Sequence, residues 1–384
     1  MPLLFSVILL DLIGFGIVIP ILPFLSPQLG ADKIDIALIL VSYAVFAGLV
    51  GPAWGRLSDR IGRKPVIMIC LAGAAVSYVM LGLATELWMV FVARAFAGAM
   101  AGNIGVATAM IGDITRPENR ARGMGMIGAA FGLGMVLGPL LGGLLAGDSG
   151  SFTLPCLVAG AMSVAAIIAA AIFLPESLSA KHTADNRAQQ AAGDQGSIWQ
   201  MLRQTNNRLL TLQYVFHNAG VSSISYIYPL WAADVLGWTA REVGYIFAIQ
   251  GMMMVFLQVV VLGPAVRYLG EINLLRIGIG TFLCGLLIAV FANTLPVIVG
   301  SMFLAMSGAT LCMPVLNSIT THRTPASLRG RMMGTTGAAA SWGRVFGPLL
   351  AGANLALFGY SAAWVGCAVI VSFYLAWAVK ERSV

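Results

Sequence analysis

The sequence predicts an all-α membrane protein of twelve transmembrane helices arranged as two pseudo-symmetric six-helix bundles. Three observations carry this. Of 384 residues, 59% are hydrophobic and 10% charged, and the apolar ones gather into twelve runs near membrane-crossing length. The 22 Lys and Arg residues fall almost entirely into every second gap between those runs. Sequence landmarks of the first half return about 209 positions later.

A hydrocarbon core about 30 Å thick is crossed by about 20 apolar residues of helix, because lipid cannot satisfy bare backbone polar groups. The first run, residues 3–25, has no basic start and carries Asp11, Pro20 and Pro23, so it reads as a retained span and not as a cleaved signal. Runs two to six cover residues 37–54, 66–84, 87–111, 124–146 and 152–174. Residues 175–207, rich in Ala, Gln, Asp and Asn, read as a linker with one short surface helix around 198–202. Runs seven to twelve cover 209–231, 243–261, 274–291, 295–319, 332–357 and 362–379. The expected organisation is a bundle at 1–174, the linker, and a bundle at 208–384.

Arg56, Arg60, Arg63 and Lys64 follow span two, and Arg116, Arg120 and Arg122 follow span four. Lys181, Arg187, Arg203 and Arg208 fill the middle gap. Arg267 and Arg276 follow span eight, Arg323, Arg329 and Arg331 follow span ten, and Lys380 and Arg382 end the chain. The alternate gaps hold Lys33 and Arg241. By the positive-inside rule both termini and the linker are cytoplasmic. The net charge of +7 follows from this bias. No compact basic domain exists to bind nucleic acid. The five cysteines stand singly in apolar runs, a pattern of packing residues that implies neither a disulfide nor a metal site.

Gly138-Pro139-Leu140-Leu141 returns as Gly347-Pro348-Leu349-Leu350, and Gly55 and Gly62 meet Gly263 and Gly270. Two repeats joined by a cytoplasmic linker suggest a transporter that exposes a midplane site to each side in turn.

After span two the chain reads Gly55-Arg56-Leu57-Ser58-Asp59-Arg60-Ile61-Gly62-Arg63-Lys64. This resembles the most diagnostic loop motif of the major facilitator superfamily, and the second copy keeps its glycines with Arg267 in the place of Asp59. The turn needs Gly, Asp59 can face the positive end of a neighbouring helix, and Arg63 can pair with Asp113 at the inner end of span four. By resemblance, Gly55, Asp59, Arg60, Gly62, Arg63, Lys64 and Asp113 form a conformational latch; the plainer reading is a positive-inside turn.

In span five, Gly134, Gly138, Pro139, Gly142 and Gly143 resemble the antiporter motif of proton-driven exporters, where small residues admit close helix approach and the proline a bend. Helix packing alone would also account for them. Asp11, Gly14, Gly16, Pro20 and Pro23 look like the first span of the twelve-helix drug:proton antiporters, with residues 87–98 around Arg94 similar to the same exporters. Over nearly the whole chain the similarity is to bacterial tetracycline-efflux proteins. That family has an acid in span three where Ser77 stands, a His in span eight where Met254 falls and an Asp in span nine near Phe282, so a metal-chelated tetracycline is not the expected cargo.

Three charges lie deep: Asp11, Arg94 and Arg344. Each is costly in lipid unless it is paired or faces water. Asp11 is the expected proton carrier, with Arg94 as its nearby cation and His217 as a second proton-coupling candidate; a structural Asp11–Arg94 ion pair is the alternative. Gln213, His217, Asn218, Ser222, Ser225 and Tyr226 form a polar stripe on span seven. With Asn103, Gln250, Met254, Gln258, Asn317 and Arg344, Gln213, His217, Asn218 and Tyr226 are the expected substrate-binding residues. Arg344 points to an anionic or zwitterionic cargo, or else snorkels or pairs within the protein.

The sequence therefore describes a proton-coupled antiporter that exports amphipathic small molecules, a drug or multidrug efflux protein and not an enzyme. It would work as a monomer in a bacterial-type inner membrane, with small-molecule substrate and lipid as its partners. No phosphate-binding loop is present, so the proton gradient and no cofactor would drive it. A facilitator or exporter of sugars, metabolites or lysolipids in the same fold, and a non-transporting membrane sensor, are the alternatives.

Overall fold

Lipid leaves the backbone no hydrogen-bond partner but itself, and the described residues are helical almost throughout. The structure, a computed structural model, describes residues 2–115, 120–147, 151–177, 205–292, 294–324 and 329–380. The linker helix expected at 198–202, and Arg116, Lys181, Arg187, Arg203 and Arg382, lie outside them.

Span one is Pro2–Val18 continued by Leu22–Gln28 after a 45° bend. Spans two and three are Lys33–Ile61 and Arg63–Gly82. Span four is broken, Leu87–Ala99 followed by Asn103–Ile114; spans five and six are Arg120–Ala146 and Thr153–Phe173. Span seven is Thr205–Leu236. Span eight runs as Ala240–Phe256, a π-helical turn Leu257–Val261, and Leu262–Leu269. Spans nine to twelve are Glu271–Phe291, Leu295–Arg323, Arg329–Phe358 and Tyr360–Lys380.

Among the described residues nine helices are individually long and apolar enough to cross a membrane, and the bent pair of span one makes ten. Spans seven and eleven fall short. They are 32 and 30 residues long, but span seven carries Gln213, His217 and Asn218, and span eleven Arg344 and Asn354. The two helices that dilute their apolarity are where a transport protein would spend polar groups.

The repeat is visible in packing. Span one packs on spans four, five and six, and span seven on ten, eleven and twelve. Span three packs on four and six as span nine does on ten and twelve. Glycines with positive φ mark the same loops of both halves: Gly30, Gly62 and Gly147, then Gly237, Gly270 and Gly359.

Contacts divide the chain into two compact units. One holds Met1–Ala31, Ser42–Gln195 and Trp238–Met252; the other holds Asp32–Val41, Gly196–Gly237 and Met253–Val384. The sequence halves supply most of each, but the start of span two belongs with the second unit and the first half of span eight with the first. Within the first unit, Leu4, Val7, Ile8 and Leu12 of span one bury against Val66, Ile67, Cys70 and Leu71 of span three, Val106 and Met110 of span four, and Ala166 and Ala170 of span six. That apolar core surrounds the one acid of span one.

Candidate functional site

Span four breaks at Met100, Ala101 and Gly102, where the Gly102 N–H turns back to the Met100 carbonyl at 2.9 Å. A broken helix frees backbone groups that lipid cannot satisfy. The Trp54 indole N–H answers one, donating to the Ala99 carbonyl at 2.6 Å. Its ring lies so close that a Cβ on Gly102 would come within 2.5 Å of it. The second half of span four then starts at Asn103, whose amide N–H donates to the Asp11 carboxylate. The Asn103 side-chain oxygen accepts from the Ile104 N–H at 2.9 Å, which fixes the amide's orientation.

Asp11 is 6% exposed and Arg94 5%. They do not form the ion pair of the alternative reading; each has another partner. The Arg94 guanidinium lies over the Tyr43 ring, 4.4 Å from its centroid, and its Nε is buried without a hydrogen-bond partner. Tyr78 lies within Coulombic reach of both charges. The Asp11 carboxyl is covered, and the group hydrogen-bonded to it, Asn103, is half-buried.

At the basic-loop end, Arg63 is the hub. Its Nε is 3.0 Å from Asp113 Oδ2 and its Nη1 is 2.7 Å from Asp59 Oδ1, while Nη1 also donates to Ser58 Oγ at 2.6 Å. Asp59 thus pairs with Arg63 and not with a helix end. The positive end of span three is met by Glu176, a residue sequence reasoning missed: its two oxygens accept from the Arg63 and Lys64 backbone N–H groups at 3.0 and 3.1 Å. The available signal was a carboxylate two residues after span six. Lys64 Nζ donates to the Ala171 carbonyl at 2.8 Å, Arg60 is exposed outside the cluster, and a Cβ on Gly55 would meet nothing within 4 Å.

The polar stripe of span seven divides into two faces, because successive residues of a helix point 100° apart. Asn218, Ser222 and Ser225 are half-exposed along one face. Gln213 and His217 turn inward, 1% and 5% exposed, with Gln213 Oε1 and His217 Nδ1 unpartnered and the imidazole edge-on to Phe282 and Tyr374. They belong to the interior of the second unit, not to a cavity wall. Tyr226 is also buried, its hydroxyl donating to the Lys33 carbonyl at 2.5 Å. Asn317 accepts from the Tyr214 hydroxyl at 2.9 Å. Gln250, Met254 and Gln258 are half-buried on span eight, Gln258 within the π turn. Arg344 is exposed, its Nη2 donating to Ser341 Oγ at 2.9 Å and its Nη1 3.5 Å from Asn218 Oδ1.

Span five presses backbone to backbone on its neighbours. A Cβ on Gly138 would sit 2.5 Å from Gly16 Cα, with Gly134 and Gly142 against Leu12 and Ile17 on the same face. Gly143 points elsewhere, toward Ala240 and Arg241 at the start of span eight, and the Pro139 carbonyl approaches Gly244. The second half repeats the contact, with Gly343 and Gly347 of span eleven against Val215 and Ala219 of span seven.

The sequence matches the family described as Major Facilitator Superfamily over residues 4–260 and 210–383. It is 30% identical to the class C tetracycline resistance protein of Escherichia coli over 369 residues, 94% of this chain and 90% of that one. It is 26% identical to multidrug resistance protein 2 of Bacillus subtilis over 388 residues, 99% and 95% of the two chains. The fold is similar to that of the human organic anion transporter MFSD10 (TM-score 0.74, 24% identity, 98% of each chain) and of the nucleoside transporter NupG (TM-score 0.75, 14% identity, 100% of each).

Proposed function

The chain belongs to the Major Facilitator Superfamily, and from that premise we propose that it is a proton-coupled antiporter exporting amphipathic small molecules across a bacterial inner membrane by alternating access. Relatives named for tetracycline and multidrug resistance, alike over nine-tenths or more of both chains, support drug efflux as the class of work. Ser77, Met254 and Phe282 stand where the tetracycline proteins carry titratable groups, and Phe282 is fully buried, which favours a cargo other than metal-chelated tetracycline.

The observation that carries the reading is Asp11, a buried acid on span one held by the residue that opens the second half of a broken span. Discontinuous helices at membrane depth are where transporters place coupling sites. Asn103 is the movable cover: when its amide leaves, the carboxyl meets water and trades its proton, and cargo or proton holds it in the next step. The Arg63–Asp59–Asp113 cluster, with Gly55, Arg60, Gly62 and Lys64 in the same turn, serves as the latch on the cytoplasmic side. Both termini lie on that side, as the basic loops require.

The test is proton release from inside-acid everted vesicles on adding a substrate panel. Wild type should release protons with each exported compound, and Asp11→Asn should lose at least 90% of that signal while remaining folded by size exclusion. Full proton-coupled transport by Asp11→Asn would refute the assignment. Uptake or exchange indifferent to both gradient and Asp11 would mark a facilitator instead.

A further inference from the structure

Arg344 is residue 16 of a 30-residue helix. Such a helix is about 45 Å long, so its centre lies about 15 Å from either face of a 30 Å core, too far for an arginine to snorkel. The side chain is nonetheless exposed. An exposed guanidinium at that depth must face water.

Span eleven shows which face that is. Trp342, Phe346, Leu350 and Leu357 are exposed along nearly its whole length, an apolar stripe suited to lipid. Arg344 is on the other side, in a row with Met333, Gly337 and Ser341 that is open or half-open; the row continues through Pro348, Ala351 and Leu355, which are buried. Along this face exposure runs from the basic-loop end as far as Arg344 and stops there. Arg344 is the last exposed residue of that row.

Its surroundings hold it there. Asn218 Nδ2 donates to the Tyr214 carbonyl at 2.9 Å, which turns Asn218 Oδ1 toward the guanidinium. The Tyr214 hydroxyl is itself fixed by Asn317 and Thr320, each at 2.9 Å. The oxygens of Asn218 and Ser341 are neutral, and a carboxylate or other oxyanion bonds a guanidinium fork more strongly than either.

We infer that Arg344, cradled by Asn218 and Ser341, is the group that selects cargo, binding the anionic head of an amphipathic carboxylate or zwitterion entering from the cytoplasmic side. This deepens the export reading and rests on it. The test measures binding of pyrenebutyrate and of its neutral amide to the purified full chain by fluorescence anisotropy, alongside proton-driven movement of both probes in everted vesicles. Wild type should bind the carboxylate at least 10-fold more tightly than the amide. Arg344→Gln should erase that preference and leave amide affinity within 2-fold, which also reports an intact fold, and Arg344→Lys should keep part of it. Equal binding of both probes by wild type, an equal loss of both in Arg344→Gln, or a preference that survives Arg344→Gln would each overturn the assignment. If the preference obeys Arg344 but neither probe is moved by a proton gradient, the anion site stands and the export reading falls.

Discussion

Gly62 shows how one residue can depend on another far away in sequence. Its backbone at φ 109° and ψ 156° lies in a region that side chains avoid, and a Cβ there would meet the Glu176 carboxylate oxygen within 2.4 Å. That carboxylate is in turn the cap of span three. Gly62→Ala adds backbone strain of about 1–3 kcal/mol and displaces the cap. Glu176→Gln loses charge but keeps an acceptor, at a cost of roughly 1 kcal/mol because the site is exposed. Thermal unfolding in detergent should therefore rank wild type above Glu176→Gln above Gly62→Ala. In the double variant Gly62→Ala with Glu176→Ala the clash is gone, so its loss should be smaller than the sum of the losses of Gly62→Ala and Glu176→Ala measured singly. Strict additivity would show that Gly62 and Glu176 act independently. Neither their contact nor the Arg94–Tyr43 stacking was legible in the sequence, since each joins segments whose spacing says nothing of orientation. Arg63 with Asp113 was suggested because two opposite charges end neighbouring spans on one side of the bilayer.

At the scale of helices, the twelve runs and their alternating basic gaps were legible because the bilayer enforces both length and charge placement. The breaks were not. Residues 87–111 read as one apolar run, since Met100, Ala101 and Gly102 are as apolar or small as their neighbours; the closeness of Trp54, which demands Gly at 102, is a tertiary fact. The split stripe of span seven came from grouping residues one apart, His217 and Asn218, that a helix separates by 100°. The π turn of span eight was equally silent. There the Leu262 N–H reaches the Leu257 carbonyl, one residue further than in an α-helix, so the turn contains an inserted residue. It begins four residues after Met253, where span eight passes from one compact unit to the other. Deleting Val259, 76% exposed, should restore α geometry without unfolding the span. With the looser turn gone, proton-driven efflux in everted vesicles should fall at least 10-fold while the melting temperature holds or rises. Unimpaired efflux would show that the turn is merely tolerated.

Across the molecule, the trade of end segments between units makes a testable structure of the far end of span two. Lys33 Nζ is 2.9 Å from Asp234 Oδ2 and 4.8 Å from the Tyr360 ring centroid, and the Tyr360 hydroxyl donates to the same carboxylate at 2.6 Å. Three spans, two, seven and twelve, thus meet at one clasp, with Ala37 one turn further on, 1% exposed and against Gly352. Partial burial pushes the Asp234 carboxyl up, but the Tyr360 hydroxyl and Lys33 together outweigh it and hold it below the usual carboxylate range. With its folded value depressed, the clasp contributes fully above the ordinary carboxylate pKa of about 3.9 and weakens only as pH falls through the lower folded one. The pair is half-exposed, so its worth is at most about 1 kcal/mol, roughly a 5-fold shift in an opening equilibrium. In a chain carrying Ala37→Cys, labelling from outside by an impermeant maleimide should accordingly be slow, and should rise 2- to 5-fold on Asp234→Asn or Lys33→Ala. After correction for thiolate reactivity it should stay flat between pH 8 and pH 5. Labelling unchanged by either substitution would mean that the apolar packing of Ala37 alone keeps this position covered. A steep rise between pH 7 and pH 5 would mean that another titrating group governs it.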